Sequence, residues 1–325
     1  MSSPVPSLVK SLVTGAAGFV GRHLTRYLHD CGQVVSALVH PSEYREDLVL
    51  DGVTAIESAD LLDEDALAGA LARVEPDEIY HLAAFSNPES SLKYARQTLE
   101  TNILGTQNLL EAARQDGRSP RILLVGSAQQ YGKVTEDEQP ISEEHVQKPL
   151  TPYSVSKASQ ELLGQRYFLS EGLPVFWTRS FNHTGPGQAD AYVCSSFARQ
   201  VAEVERGERP PEIHVGNLAA RRDFTDVRDV ARAYRAILER GQPGRAYNVC
   251  RGEAVAIQEV LDTLIEHSSA DVEVRVDPER YHALDAPLIF GDATRLREET
   301  GWAPEFSLKD TLLDLLNDWR DHNNR

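Results

Sequence analysis

The chain has 325 residues, enough to bury a sizeable core, and its 41% hydrophobic and 26% charged residues are those of an ordinary globular protein. With 33 basic and 50 acidic residues the formal charge is −17, which argues against nucleic acid or an acidic membrane as partner. Cys31, Cys194 and Cys250 are far apart and form no CxxC pair, so neither a disulfide framework nor a metal site is expected. No basic segment followed by a long apolar run opens the chain, and no stretch approaches the ~20 apolar residues of a membrane span, so a cytoplasmic location is expected.

Along the chain, short apolar runs alternate with amphipathic stretches. Strands are predicted at Ser11–Thr14, Val34–Val39, Thr54–Glu57, Glu78–Leu82, Arg121–Gly126 and Pro174–Arg179. Helices are predicted at Gly18–Cys31, Glu64–Arg73, Tyr94–Gln115 and Tyr153–Gly172, with left-handed caps expected near Gly32, Gly117 and Gly172. This is the pattern of right-handed βαβ units, hence an α/β fold of the Rossmann type, a doubly wound parallel sheet. After about residue 181, prolines punctuate shorter elements, and a smaller, irregular α/β region packed on the first is expected.

The first predicted strand runs into Thr14-Gly15-Ala16-Ala17-Gly18-Phe19-Val20-Gly21. Glycines at this spacing allow a tight turn and close backbone approach to a pyrophosphate, which a helix N-terminus then attracts. Gly15, Gly18, Phe19, Val20 and Gly21 are therefore candidate cofactor residues. The second strand ends at His40-Pro41-Ser42 without a carboxylate, which favours NADP(H) over NAD(H), with His40 at the ribose end. Asp60 and Leu61, after the next strand, are candidates for the adenine.

Tyr153 and Lys157 are four residues apart and so share a helical face. A lysine ammonium there can stabilise a tyrosinate and lower the phenol pKa, giving a proton donor usable in carbonyl–alcohol interconversion. Ser127, at the end of a predicted strand, is placed to hydrogen-bond the same substrate oxygen.

Thr14–Gly21, His81–Ala84, Asn102, Ser127, Tyr153/Lys157 and Arg222-Asp223-Phe224 together resemble the extended short-chain dehydrogenase/reductases over nearly the whole chain. The resemblance implies a catalytic set of Ser127, Tyr153 and Lys157, cofactor contacts from Leu82, Ala83, Ala84, Tyr153 and Lys157, the last at the nicotinamide ribose, and a structural role for Asn102. It also implies a division into a dinucleotide-binding domain (1–180 plus about 223–250) and a nucleotide-sugar region (about 181–222 and 251–325). The segment Arg179–Gln188, with Val215-Gly-Asn217 and Thr300–Pro304, looks like the GDP-sugar branch, whose reductases act on GDP-4-keto-6-deoxy-D-mannose.

By that likeness Ser86, Asn182 and Arg222 contact the sugar diphosphate, and Arg280 replaces an arginine that stands in those reductases where this chain has His282. The 4,6-dehydratases of the group carry carboxylates just before a Tyr-Gly pair. Here Ala128-Gln129-Gln130 precede Tyr131, and none of the three exchanges a proton at neutral pH. The expected activity is thus NAD(P)H-dependent reduction of the C4 ketone of a nucleotide-linked 4-keto-6-deoxy sugar, giving GDP-D-rhamnose or its C4 epimer. The alternatives are an epimerase with tightly held NAD, a dehydratase, and a non-catalytic cofactor sensor. A homodimer built on the Asn102 and Tyr153 helices is also implied.

Overall fold

The computed structural model describes residues 8–277 and 286–321. The strands are β1 (Lys10–Thr14), β2 (Val34–Val39), β3 (Ala55–Ser58), β4 (Glu78–His81), β5 (Arg121–Ser127), β6 (Val175–Ser180), β7 (Asn182–Thr184), β8 (Glu212–Val215), β9 (Arg221–Arg222), β10 (Phe224–Asp226), β11 (Ala246–Val249), β12 (Val255–Ala256), β13 (Glu273–Val276) and β14 (Leu288–Ile289). The helices are α1 (Phe19–Asp30), α2 (Glu64–Val74), α3 (Pro88–Lys93), α4 (Ala95–Leu99), α5 (Gly105–Gln115), α6 (Pro152–Glu171), α7 (Val193–Glu205), α8 (Val227–Arg240), α9 (Ile257–Glu266), α10 (Thr294–Thr300) and α11 (Leu308–Asp321).

Seven strands form one parallel sheet in the order β11-β6-β5-β4-β1-β2-β3. Its strands are apolar on both faces because both faces are covered. Successive residues of β1 serve opposite layers. Val13 joins the core under α1 and α8, with Leu24, Leu28, Val230 and Tyr234. Leu12 joins the core under α2, α5 and α6, with Leu67, Leu71, Leu109 and Tyr167. Each fully buried leucine in these layers contributes roughly 1.5–3 kcal/mol. Strand order reverses between β1 and β4, so a crevice opens at their C-terminal ends, where α/β sheets bind ligands.

A third core lies apart from the sheet, with Phe197, Val201, Ile213, Leu261 and Leu315 of α7, β8, α9 and α11 at its centre. Beside it β13 pairs with β8, β7 with β10, and β9 lies between β12 and β14. No helix among the described residues is long and apolar enough to cross a membrane.

The predicted elements recur with small shifts. β4 stops at His81, whereas β5 continues to Ser127. Gly172 adopts φ +73° at the end of α6, and its N–H meets the Phe168 carbonyl at 3.2 Å. One expectation changes in kind. The single helix predicted over Tyr94–Gln115 is divided into α4, a π-helical turn at Glu100–Leu104, and α5. That wider turn holds Asn102, which is fully buried and hydrogen-bonded to other segments. Single π turns of this kind occur where a side chain has work outside its own helix.

Candidate active site

The turn between β1 and α1 is built on close contacts. Gly15 has φ +69°, and a Cβ there would lie 2.8 Å from the Ala83 nitrogen. At Gly21 a Cβ would come within 2.3 Å of the Gly15 carbonyl oxygen. Gly18 occupies the N-cap of α1 without a side-chain cap, and the first turn carries no acidic residue. Phe19 and Val20, in that turn, are half-buried, and Val20 packs on the first core. An uncapped helix N-terminus above a side-chain-free loop fits a pyrophosphate.

The neighbouring strand ends complete the rim. Ala83 donates its N–H to Thr14 Oγ1 at 3.1 Å, and Leu82 to the Thr14 carbonyl at 3.3 Å, so Leu82–Ala84 lie against the glycine turn. His40 Nε2 stands 3.5 Å from Asp60 Oδ2, and Ser42 Oγ 2.7 Å from His40 Nδ1. The tip of β2 therefore does face a carboxylate, brought from beyond β3. Leu61 is buried, and its carbonyl accepts from Asn108 at 3.0 Å.

Tyr153 sits in the first turn of α6, which Thr151 caps by accepting from the Ser154 N–H. Ser127, the last residue of β5, stands close enough to the Tyr153 phenol to favour its ionised form. Lys157, one turn on, lies 6.0 Å from the Tyr153 ring centroid and donates to the Val125 carbonyl at 2.8 Å. This is its one hydrogen bond among the described residues.

The electrostatics differ from the sequence expectation. Desolvation pushes the Tyr153 phenol up to about 12, and the nearby Ser127 hydroxyl only partly opposes it. Burial pushes Lys157 down to about 7. The spacing argument omitted desolvation, which penalises the charged forms of both groups. The protein alone keeps Tyr153 as a neutral O–H donor.

A buried polar network fixes these elements. Asn102 Oδ1 accepts the Phe85 N–H at 2.7 Å, while Nδ2 donates to the Ser156 hydroxyl at 2.8 Å. It thus binds the loop after β4 to the Tyr153 helix. Thr106 Oγ1 donates to the Asn102 carbonyl and accepts from Gln160. His81, fully buried and pushed down to about 3 by desolvation and Lys157, is neutral. It lies 3.0 Å from Thr106 Oγ1 and 2.9 Å from Thr14 Oγ1.

The substrate candidates hang from the same strand ends. Ser86 is exposed just past the clamped Phe85. Ser180 pairs with Ser127, and Asn182 follows two residues later, exposed and in register with Phe224. Arg222 is half-buried in adjoining β9, its Nη1 donating to the Arg221 carbonyl at 2.8 Å. Arg280 and His282 lie outside the described residues.

Several contributors carried no sequence signal that was used. Arg179 and Glu161 form a buried ion pair at 2.6 Å, and Glu161 also accepts from Gln130 at 2.8 Å. Gln130 Oε1 in turn accepts the Ser127 N–H at 2.8 Å. Glu161 stands four residues past Lys157 on the Tyr153 stripe, a signal that was available. Tyr192, at the N-cap of α7, is near enough to Tyr153 that a charge on one disfavours a charge on the other. Gln129 is exposed beside Ser127, where its N–H approaches Ser127 Oγ at 3.3 Å.

Residues 12–315 match the family model described as GDP-mannose 4,6 dehydratase. A GDP-6-deoxy-D-mannose reductase from Pseudomonas aeruginosa is 37% identical over 94% of this chain and 96% of its own length. The solved structure of RMD from Pseudomonas aeruginosa, complexed with NADPH, has a TM-score of 0.84 and 35% identity over 97% of this chain and all of that one (100%). A putative epimerase from Burkholderia cenocepacia gives a TM-score of 0.86 and 33% identity, covering 96% of this chain and 98% of that one.

Proposed function

The chain belongs to the GDP-mannose 4,6-dehydratase family, and from that premise we propose that it is a 4-keto reductase of a GDP-linked 4-keto-6-deoxy sugar. The observation that carries this reading is the Ser127–Tyr153 pair, a neutral phenol donor beside Gln129, where a dehydratase requires a carboxylate. A nicotinamide cofactor held by Gly15–Gly21 and Leu82–Ala84 would supply the hydride that reduces the C4 carbonyl. Tyr153 O–H is the proton donor to the alkoxide that this reduction forms, and Ser127 orients that oxygen. Lys157 spends one N–H on the Val125 carbonyl, which leaves two to hold ribose hydroxyls beside Tyr153.

Gly15–Gly21 take the pyrophosphate, and Leu82–Ala84 line the cofactor. Asp60 and Leu61 border the adenine. Ser86, Asn182 and Arg222 meet the sugar diphosphate, with Arg280 as a further cation. Dehydration lacks its base, because Glu161, the acid hydrogen-bonded to Gln130 in this turn, is committed to Arg179. NADPH is favoured over NADH by the NADPH-bound relative, and not by the β2 tip, where Asp60 stands 3.5 Å from His40. Offered GDP-4-keto-6-deoxymannose, the protein is expected to oxidise NADPH faster than NADH. Oxidation of neither would overturn the reductase reading, and substrate interconversion without net oxidation would establish the epimerase.

We also propose a homodimer. α6 buries one face in its own subunit, yet Val155, Leu162 and Leu169 recur every seventh residue on the other, 40%, 64% and 71% exposed. Leu104, also exposed, follows Asn102 in the adjacent π turn. Two such faces from two subunits make a four-helix contact. Leu162→Glu is expected to convert a dimer into a monomer by light scattering, and a monomeric parent protein would remove the proposal.

A further inference from the structure

Residues 181–188 form a loop stiffened by its own polar groups. Thr184 Oγ1 donates to Gln188 Oε1 at 2.6 Å, and Gln188 Nε2 donates to the His183 carbonyl at 2.8 Å. Ser195 Oγ donates to the Gln188 carbonyl at 2.6 Å, and the Gly187 N–H to Asp318 at 2.8 Å. Thr184 and Gln188 are both buried. These bonds join the residues after Asn182 to one another and to α7 and α11.

Two contacts tie this loop to α1, and both start from the first five residues of that helix. His23 Nε2 lies 2.8 Å from the Pro186 carbonyl oxygen, 163 residues away in sequence. The Phe19 ring stacks over the His183 ring, with centroids 6.1 Å and planes 14° apart. Phe19 also meets His23 edge-on at 5.7 Å. A carbonyl only accepts, so His23 carries its proton on Nε2, as His183 does on Nδ1 toward the Phe181 carbonyl at 3.0 Å.

We propose that His23, aided by Phe19, is a positioning residue that couples occupation of the cradle at the N-terminus of α1 to the affinity of the 181–188 loop for a nucleoside diphosphate sugar. This rests on the nucleotide-sugar reading above. Gly18 leaves the first turn of α1 without a side-chain cap, so an anion bound there orders the turn that bears Phe19, whose ring packs on His23 one turn further along. Ordering supplied by the first ligand is not required again of the second, and the coupling is reciprocal.

Calorimetric titration of the full-length protein with GDP, and in parallel UDP and dTDP, with and without saturating NADP+ or NAD+, tests this. The nucleoside diphosphate that binds is expected to bind at least about 5-fold tighter with the dinucleotide present. In His23→Ala that ratio is expected to fall to near unity, with the affinity for each ligand alone little changed. His23→Gln, whose amide can still donate to the Pro186 carbonyl, is expected to keep it. Equal affinity with and without dinucleotide in the parent protein, or coupling retained in His23→Ala, overturns the inference. Coupled binding of UDP or dTDP with GDP silent corrects the base and upholds the coupling, whereas no binding by any of the three overturns both readings.

Discussion

Tyr153→Phe is expected to lower kcat by about 10²- to 10⁴-fold, the range that a positioned proton donor supplies, while leaving the dinucleotide Kd essentially unchanged. The phenol meets the reacting oxygen only through its O–H, and the rest of the ring is kept by phenylalanine. Apart from Ser127, the neighbouring groups are held by contacts that do not depend on that O–H. Asn102 reaches α6 through the Ser156 hydroxyl, which in turn donates to the Tyr153 carbonyl at 2.7 Å. Lys157 is held by the Val125 carbonyl. Steady-state kinetics with dinucleotide binding by fluorescence checks the result. A kcat within tenfold of the parent would mean that the proton comes from elsewhere. A non-catalytic cofactor sensor would instead show no turnover in either protein and identical dinucleotide binding.

Glu161→Ala is expected to be the most destabilising of the single changes considered, by about 3–5 kcal/mol, because it strands the Arg179 guanidinium in the interior. Arg179 is 5% exposed and donates through Nε and Nη2 to the two Glu161 oxygens, at 3.0 and 2.6 Å. Its remaining contacts, Tyr131 Oη at 3.1 Å and the Glu143 carbonyl at 2.8 Å, are neutral and cannot replace the lost charge. The same substitution leaves the Gln130 amide with Gln147 as its one remaining acceptor and so loosens the Oε1 that fixes the Ser127 N–H, so kcat should fall even in protein that remains folded. Glu161→Ala with Arg179→Met removes both charges and is expected to recover part of the stability. Denaturant unfolding followed by circular dichroism measures both. A loss below about 1 kcal/mol in the single variant would show that the pair is solvated or dispensable.

The parallel sheet was legible because its strands are buried on both faces and so read as unbroken apolar runs. β2 is the plainest case, recovered at both ends from Val34 to Val39. The glycine turn was legible for a related reason. At Gly15 and Gly21 any side chain would strike backbone, so the requirement is local and leaves its mark in residue type. The Tyr153–Lys157 spacing likewise placed both side chains on one face of α6.

What the sequence could not contain was the environment of those groups. The direction of the Tyr153 and Lys157 shifts is set by how much protein surrounds them, a quantity no spacing encodes. The carboxylate at the β2 tip comes from Asp60, 20 positions beyond His40 in sequence, and meets it only because β3 lies beside β2. The clasp of His23 on Pro186 spans 163 residues for the same reason. Residue type and short-range spacing by themselves reached six of the seven sheet strands, the glycine turn and the shared helical face of Tyr153 and Lys157, but not β11 at Ala246–Val249. Tertiary structure alone decided the direction of the Tyr153 and Lys157 shifts, the break at Asn102 and the contact between α1 and the 181–188 segment, since desolvation and long-range hydrogen bonds exist only once distant segments are packed together.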